Sequence, residues 1–141
     1  MAEWSFAMSR REMRESAFKL VFESLFRNEP ADEIIELAEG IDEIIINDDV
    51  VRMFKGTVEH SKEFDEIISR FSEKRQFERI PKVNIAVLRL ALYEILYEEK
   101  VPMNVAINEA VLISKKYSHE SDVAFVNGIL GAYSRSKEEN A

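Results

Sequence analysis

The 141-residue sequence has no cysteine, two histidines, three prolines and four glycines. Without Cys there are no disulfides, no thiolate zinc ligands and no thiol nucleophile, a composition that a reducing cytosol permits. His60 and His119 fall on separate elements, so the pattern predicts neither a metal site nor a catalytic histidine, and it calls for no cofactor. The phosphate loop G-x-x-x-x-G-K-[ST] is missing, and so are G-x-G-x-x-G, G-x-S-x-G and H-E-x-x-H. These absences argue against an enzyme. No apolar run reaches the roughly 20 residues of a membrane span, and the opening "MAEWSFAM" carries an acid where a signal peptide has bases. The expectation is a soluble, cytoplasmic protein with one domain over 9–134, between disordered tails at 1–8 and 135–141.

With so few helix breakers, and with apolar residues recurring at three and four, the sequence reads as all-α. Ser9 and Glu12 match a capping box that starts a first helix running to about Arg27. Pro30 suits the first turn of a short second helix ending near Gly40. Asn47 or Asp48 caps a long third helix, whose stripe Val50, Val51, Phe54, Val58, Phe64, Ile67, Ile68 and Phe71 extends to about Ser72. After the polar link "EKRQFER", Pro81 opens a helix whose only charges from Ile85 to Tyr97 are Arg89 and Glu94; this should be the central one. Pro102 precedes an amphipathic helix, and Ser118 or Ser121 caps the last, "DVAFVNGILGAYS".

Net charge is −8, but residues 29–66 hold thirteen acids against three bases, a local −10 that leaves the rest of the chain at +2. The acidic stretch reads as a solvated helix face. A basic surface elsewhere is compatible with the total, because binding to phosphates depends on the charges that touch them.

The first helix opens "SRREMRESAFKLVF", with cations at the end where the backbone dipole disfavours them. At about 100° per residue from Met13, Arg10, Arg14 and Arg11 fall near 60°, 100° and 160°. The later apolar residues Ala17, Phe18, Val21, Phe22 and Leu25 occupy the same sector, between about 40° and 180°. The arginines therefore continue the burial face. Two readings follow: guanidinium groups presented to RNA phosphates and bases, or groups paired with the chain's own acids.

Other residues carry similar alternatives. A buried Arg89 must be paired, and Glu109 in "INEA" is its expected partner, with contact to another protein as the second reading. Phe125 lies at the flank of the last helix, where it either stacks on an unpaired base or packs at the core's edge. Gly128 is expected to be a close-packing point. Lys115 and Lys116 suit the dipole of the helix end they occupy and could lie near the same strand.

Three motifs, "RREMRESAFKLVF", "VLRLALYEILY" and "VPMNVAINEAVLISKKYS" followed by "FVNGIL", resemble the NusB family of transcription antitermination factors, in register over residues 9–131. The resemblance implies a helical bundle of about seven helices in two perpendicular halves and a non-enzymatic role. It implies binding of single-stranded boxA RNA with NusE, a small-subunit ribosomal protein, within the antitermination complex on RNA polymerase that transcribes ribosomal RNA operons. It places Arg10, Arg11, Arg14, Phe125 and Ser121 at the RNA, and Asn84 and Arg89 on the NusE-facing side. A homodimer of the free protein is a further possibility that some relatives realise. Three departures stand out: Phe22 where relatives often carry an RNA-facing Tyr, Asn84 where an acid is common, and Glu12 where a base is common. Two alternatives are a helical protein-interaction module without an RNA role and the NusB-like appendage of an RNA methyltransferase, the latter only as a fragment.

Overall fold

Ser9 begins the first helix as its pattern predicts: its Oγ accepts from the Glu12 N–H at 3.1 Å, and the Glu12 carboxylate accepts from the Ser9 N–H at 3.0 Å. The computed structural model describes residues 9–139, so the tail expected at 1–8 lies outside the described residues. Among these, the chain forms α1 (Arg10–Ser24), α2 (Ala31–Ala38), α3 (Asp48–Glu59), α4 (Ser61–Phe71), α5 (Lys82–Tyr97), α6 (Met103–Tyr117) and α7 (Glu120–Glu139). A single 3₁₀ turn, Phe77–Arg79, interrupts the link before α5.

Helix α5 is central, as its composition requires. It packs against α1, α3, α4, α6 and α7. Leu88 and Leu92 are fully buried, with Phe54 from α3, Phe64 and Ile68 from α4 and Leu130 from α7. Each such side chain contributes about 1.5–3 kcal/mol relative to exposure. Asn47 caps α3 through its Oδ1, which accepts from the Val50 N–H at 2.8 Å.

The expected long third helix is in fact two. At His60 the backbone turns to φ −103°, ψ 18°, and α4 restarts at once. The apolar stripe steps from Val58 to Phe64, six residues where helical spacing is three or four, and that gap marks the corner; Val58, expected on that stripe, is 36% exposed. The His60 ring stacks on Tyr97 of α5 at 4.3 Å, tying the corner to the central helix.

The last helix also differs from expectation. Neither Ser118 nor Ser121 caps α7: Ser118 closes α6, with its Oγ donating to the Ser114 carbonyl, while the Asp122 carboxylate accepts from the His119 N–H at the start of α7. Residues 135–139, expected as part of a disordered tail, continue α7 as helix. Gly56, not Gly128, is the close-packing glycine. A Cβ on Gly56 would lie 2.2 Å from the Tyr93 ring, whereas one on Gly128 would meet nothing within 4 Å.

Candidate nucleic-acid interface

The three arginines of α1 share a face but not an environment. Arg14, at the centre of that face, is 6% exposed, and its Nε donates to both oxygens of Glu94 at 2.8 Å. Glu94, the second charge in the apolar α5, is itself 3% exposed; burial raises its carboxyl pKa against the pull of Arg14. In the unbound chain Arg14 therefore follows the second of the two readings, a guanidinium paired with the chain's own acids. One turn nearer the amino end, Arg11 donates from Nε and Nη2 to Glu109 at 3.0 and 2.9 Å, with its side chain 66% exposed. Glu109 also lies 3.7 Å from Nη1 of Arg14, and the bond from Arg11 holds its carboxyl below the usual range. Arg10 is exposed and makes no ion pair among the described residues.

Glu109 is thus the partner of Arg11 and Arg14, not of Arg89. Arg89 donates to Asp65 of α4 at 2.8 and 2.7 Å. Positions 89 and 94 are five residues apart, about 140° around α5, so one charge faces α4 and the other faces α1. Asp65 belongs to the stretch read as a solvated face, and so do Asp49, which pairs with Arg52, and Asp32, which pairs with Lys55.

A row of side-chain contacts joins α1 to α6 beyond Glu109. Glu15 accepts from Lys116 Nζ at 2.7 Å and from the Tyr117 hydroxyl, and the Tyr117 ring packs on Phe18 at 5.2 Å. Burial pushes the Glu15 carboxyl up, but these two hydrogen bonds outweigh it and leave it low, while Tyr117 is pushed up to about 12. Lys115 is exposed. Phe22 lies one turn further along α1, stacked on Phe18 at 6.0 Å, and lines an apolar groove of about 440 Å³ with Val83 and Tyr117.

Ser121 and Phe125 lie in a different groove, between the start of α7 and the segment after α4, with Phe71, Lys74, Gly128 and Arg135. Phe125 is half-buried, and the Arg75 guanidinium sits 4.6 Å above its ring centroid. Asn84, expected on a partner-facing surface, is instead 0% exposed; its Nδ2 donates to Asp122 at 3.0 Å and fixes α5 to α7.

Sequence reasoning missed Glu94, Asp65 and Arg75. The first had a legible signal: a lone acid in an apolar helix needs a cation, and Arg14 sits at the middle of a burial face. Among the described residues no cluster of acids and histidines could hold a metal ion, and no helix is long and apolar enough to cross a membrane.

Comparison with known proteins gives one answer over nearly the whole chain. A model of the NusB family matches residues 11–135. The transcription antitermination protein NusB of Clostridium acetobutylicum is 38% identical over 134 residues, spanning 94% of this chain and 99% of that protein. Its counterpart in Pseudothermotoga lettingae is 39% identical over 131 residues, spanning 92% and 94%. Among solved structures, T. maritima NusB superposes with a TM-score of 0.78 at 40% identity over 89% of each chain. A chain from a complex of antitermination factors NusB and NusE with double-stranded RNA superposes at 0.76 and 26% identity, over 90% of this chain and 96% of its own.

Proposed function

The chain belongs to the NusB family, and from that premise we propose that it is a non-enzymatic, cytoplasmic RNA-binding antitermination factor. It binds single-stranded boxA RNA together with NusE and joins the elongating RNA polymerase on ribosomal RNA operons. The observation that carries this reading is the match over residues 11–135, which brings both Arg11 and the "FVNG" of α7 into the family's register.

The geometry suggests how the arginine end works. Arg10 and Arg11 are the arginines of α1 that solvent reaches, and Glu109 holds the Arg11 guanidinium while Arg14 stays inside. A phosphate approaching Arg11 competes with a carboxylate that is already desolvated on one side. Phosphate contact keeps the charge compensated, so the exchange leaves no stranded guanidinium. Lys115, Lys116, Ser121 and Phe125 extend this surface through the end of α6 and the start of α7, and Phe22 offers a ring without the hydroxyl common in relatives.

The test is a gel shift with NusE, comparing boxA with a scrambled sequence and wild type with Arg10→Gln/Arg11→Gln. Two single-strand phosphate contacts contribute about −1.4 to the slope of log affinity against log salt. The double variant should lose that increment while its circular dichroism stays unchanged. NusE binding with no preference for boxA would sink the RNA reading and leave a protein-interaction module.

A further inference from the structure

Arg11 and Arg14 of α1 are paired with carboxylates, whereas among the cations of residues 70–82 Arg75 and Lys82 lie over the rings of Phe125 and Phe26 instead. This segment carries Arg70, Lys74, Arg75, Arg79 and Lys82 against Glu73 and Glu78, a local +3 in a protein of −8. None of the five makes an ion pair among the described residues, although ion pairs occur on α1, α3, α5 and α6. Lys74 and Arg79 are exposed, and Arg75 is half-buried against Phe125. Lys74 stands beside the groove of about 560 Å³ that holds Ser121 and Phe125, and Arg135, exposed on α7, lines the same groove.

Unpaired cations in an acidic protein keep full electrostatic reach toward a polyanion, because no carboxylate has to be displaced first. The position of Arg75 adds geometry to charge. Its guanidinium covers one face of Phe125, so a base arriving there meets the planar guanidinium before it meets the ring. Arginine planes stack on bases while their edges hydrogen-bond phosphate, and the ring behind fixes the plane.

We propose that Arg75, backed by Phe125 and flanked by Lys74 and Arg135, is the base-stacking subsite of the RNA surface that Ser121 and Phe125 line, in which a base stacks on the guanidinium and the flanking cations hold the adjoining phosphates. The proposal rests on the RNA-binding reading above. It differs in assigning the base stack to Arg75 and in placing phosphate contacts on the segment after α4.

Fluorescence anisotropy tests it, using a labelled boxA RNA with NusE present. In wild type the salt slope should be steeper by about 1.4 than Arg10 and Arg11 alone supply, the increment expected from the Lys74 and Arg135 contacts. Lys74→Gln/Arg135→Gln should remove that increment and weaken binding about five- to tenfold. Arg75→Lys keeps the charge but not the plane, so it should weaken binding while the slope stays at the wild-type value. If wild type binds RNA and both variants match it in affinity and slope, the subsite is overturned and the RNA reading stands. If wild type binds no RNA, both fall. If the double variant loses affinity for NusE alone, measured by calorimetry, with the RNA slope unmoved, the surface is a protein contact and the subsite is overturned.

Discussion

Arg11 and Arg14 stand three residues apart on one helix, yet solvent reaches only the first. The cause is depth: Arg14 lies where α1 meets α5, and its charge is tolerated there because Glu94 is buried opposite it. Removing one partner strands the other. Arg14→Met should therefore cost about 3–5 kcal/mol in urea denaturation, whereas Arg14→Met/Glu94→Leu should recover most of it, since a buried pair is commonly replaceable by apolar groups of similar volume. A double variant as unstable as the single would show that the pair itself, and not the stranded carboxylate, holds α1 to α5. At this scale the sequence was half legible. Angular position identified the arginines as lying on a burial face, but no spacing rule tells which acid of a distant helix meets them. Adjacency of their helices in the chain points Arg89 to Glu109, and the rotation of α5 sends it to Asp65 instead.

Between helices, the α1–α6 row shows how acid should loosen the fold. Glu15 and Glu109 hold their carboxyls below the ordinary range, so they bind fewer protons folded than unfolded. Their stabilisation is complete above the unfolded pKa, about 4.3, and is lost as pH falls through it toward the lowered folded values. Glu94 acts in the opposite sense, because burial raises its pKa and the folded state there binds the extra proton. The urea midpoint should fall from pH 5 to pH 3, and Glu15→Gln/Glu109→Gln should make that fall shallower; an unaltered profile would remove these two carboxylates as its source. A second element-level contrast concerns glycine. Gly56→Ala forces a Cβ onto the Tyr93 ring and should cost about 1–3 kcal/mol by overpacking. Gly128→Ala meets open space and should gain about 0.5–1 kcal/mol from helix propensity. Thermal melts of the two variants should move in opposite directions. The sequence pointed to the wrong glycine because a glycine within a helical period announces a missing side chain without saying what approaches it. Helix starts were more legible: Ser9 and Asn47 cap as predicted, since capping is local chemistry, whereas the corner at His60 depends on what α3 and α4 pack against.

On the scale of the molecule, charge is segregated. The −10 of residues 29–66 falls on α2, α3, the first part of α4 and the loops beside them, while five cations without an ion pair among the described residues cluster on residues 70–82 and another, Arg10, starts α1. This division was legible in the sequence as a running count, because charge location along a chain of short helices survives folding better than individual pairings do. Its consequence is selectivity through repulsion. A strand that cannot seat its bases should gain little from the basic surface and meet the field of the acidic side, so the expected outcome is weak binding of non-cognate RNA. Glu33, Glu36 and Asp42 are exposed and make no ion pair among the described residues, which makes them suitable for neutralisation without structural loss. Glu33→Gln/Glu36→Gln/Asp42→Asn should raise affinity for scrambled RNA severalfold at low salt and raise boxA affinity less, narrowing the ratio between them. The effect acts through solvent, so it should vanish near 1 M salt, where the screening length is about 3 Å. Anisotropy titrations at two salt concentrations would measure it, and a scrambled-RNA affinity that does not move at low salt would mean that the acidic side plays no part in discrimination.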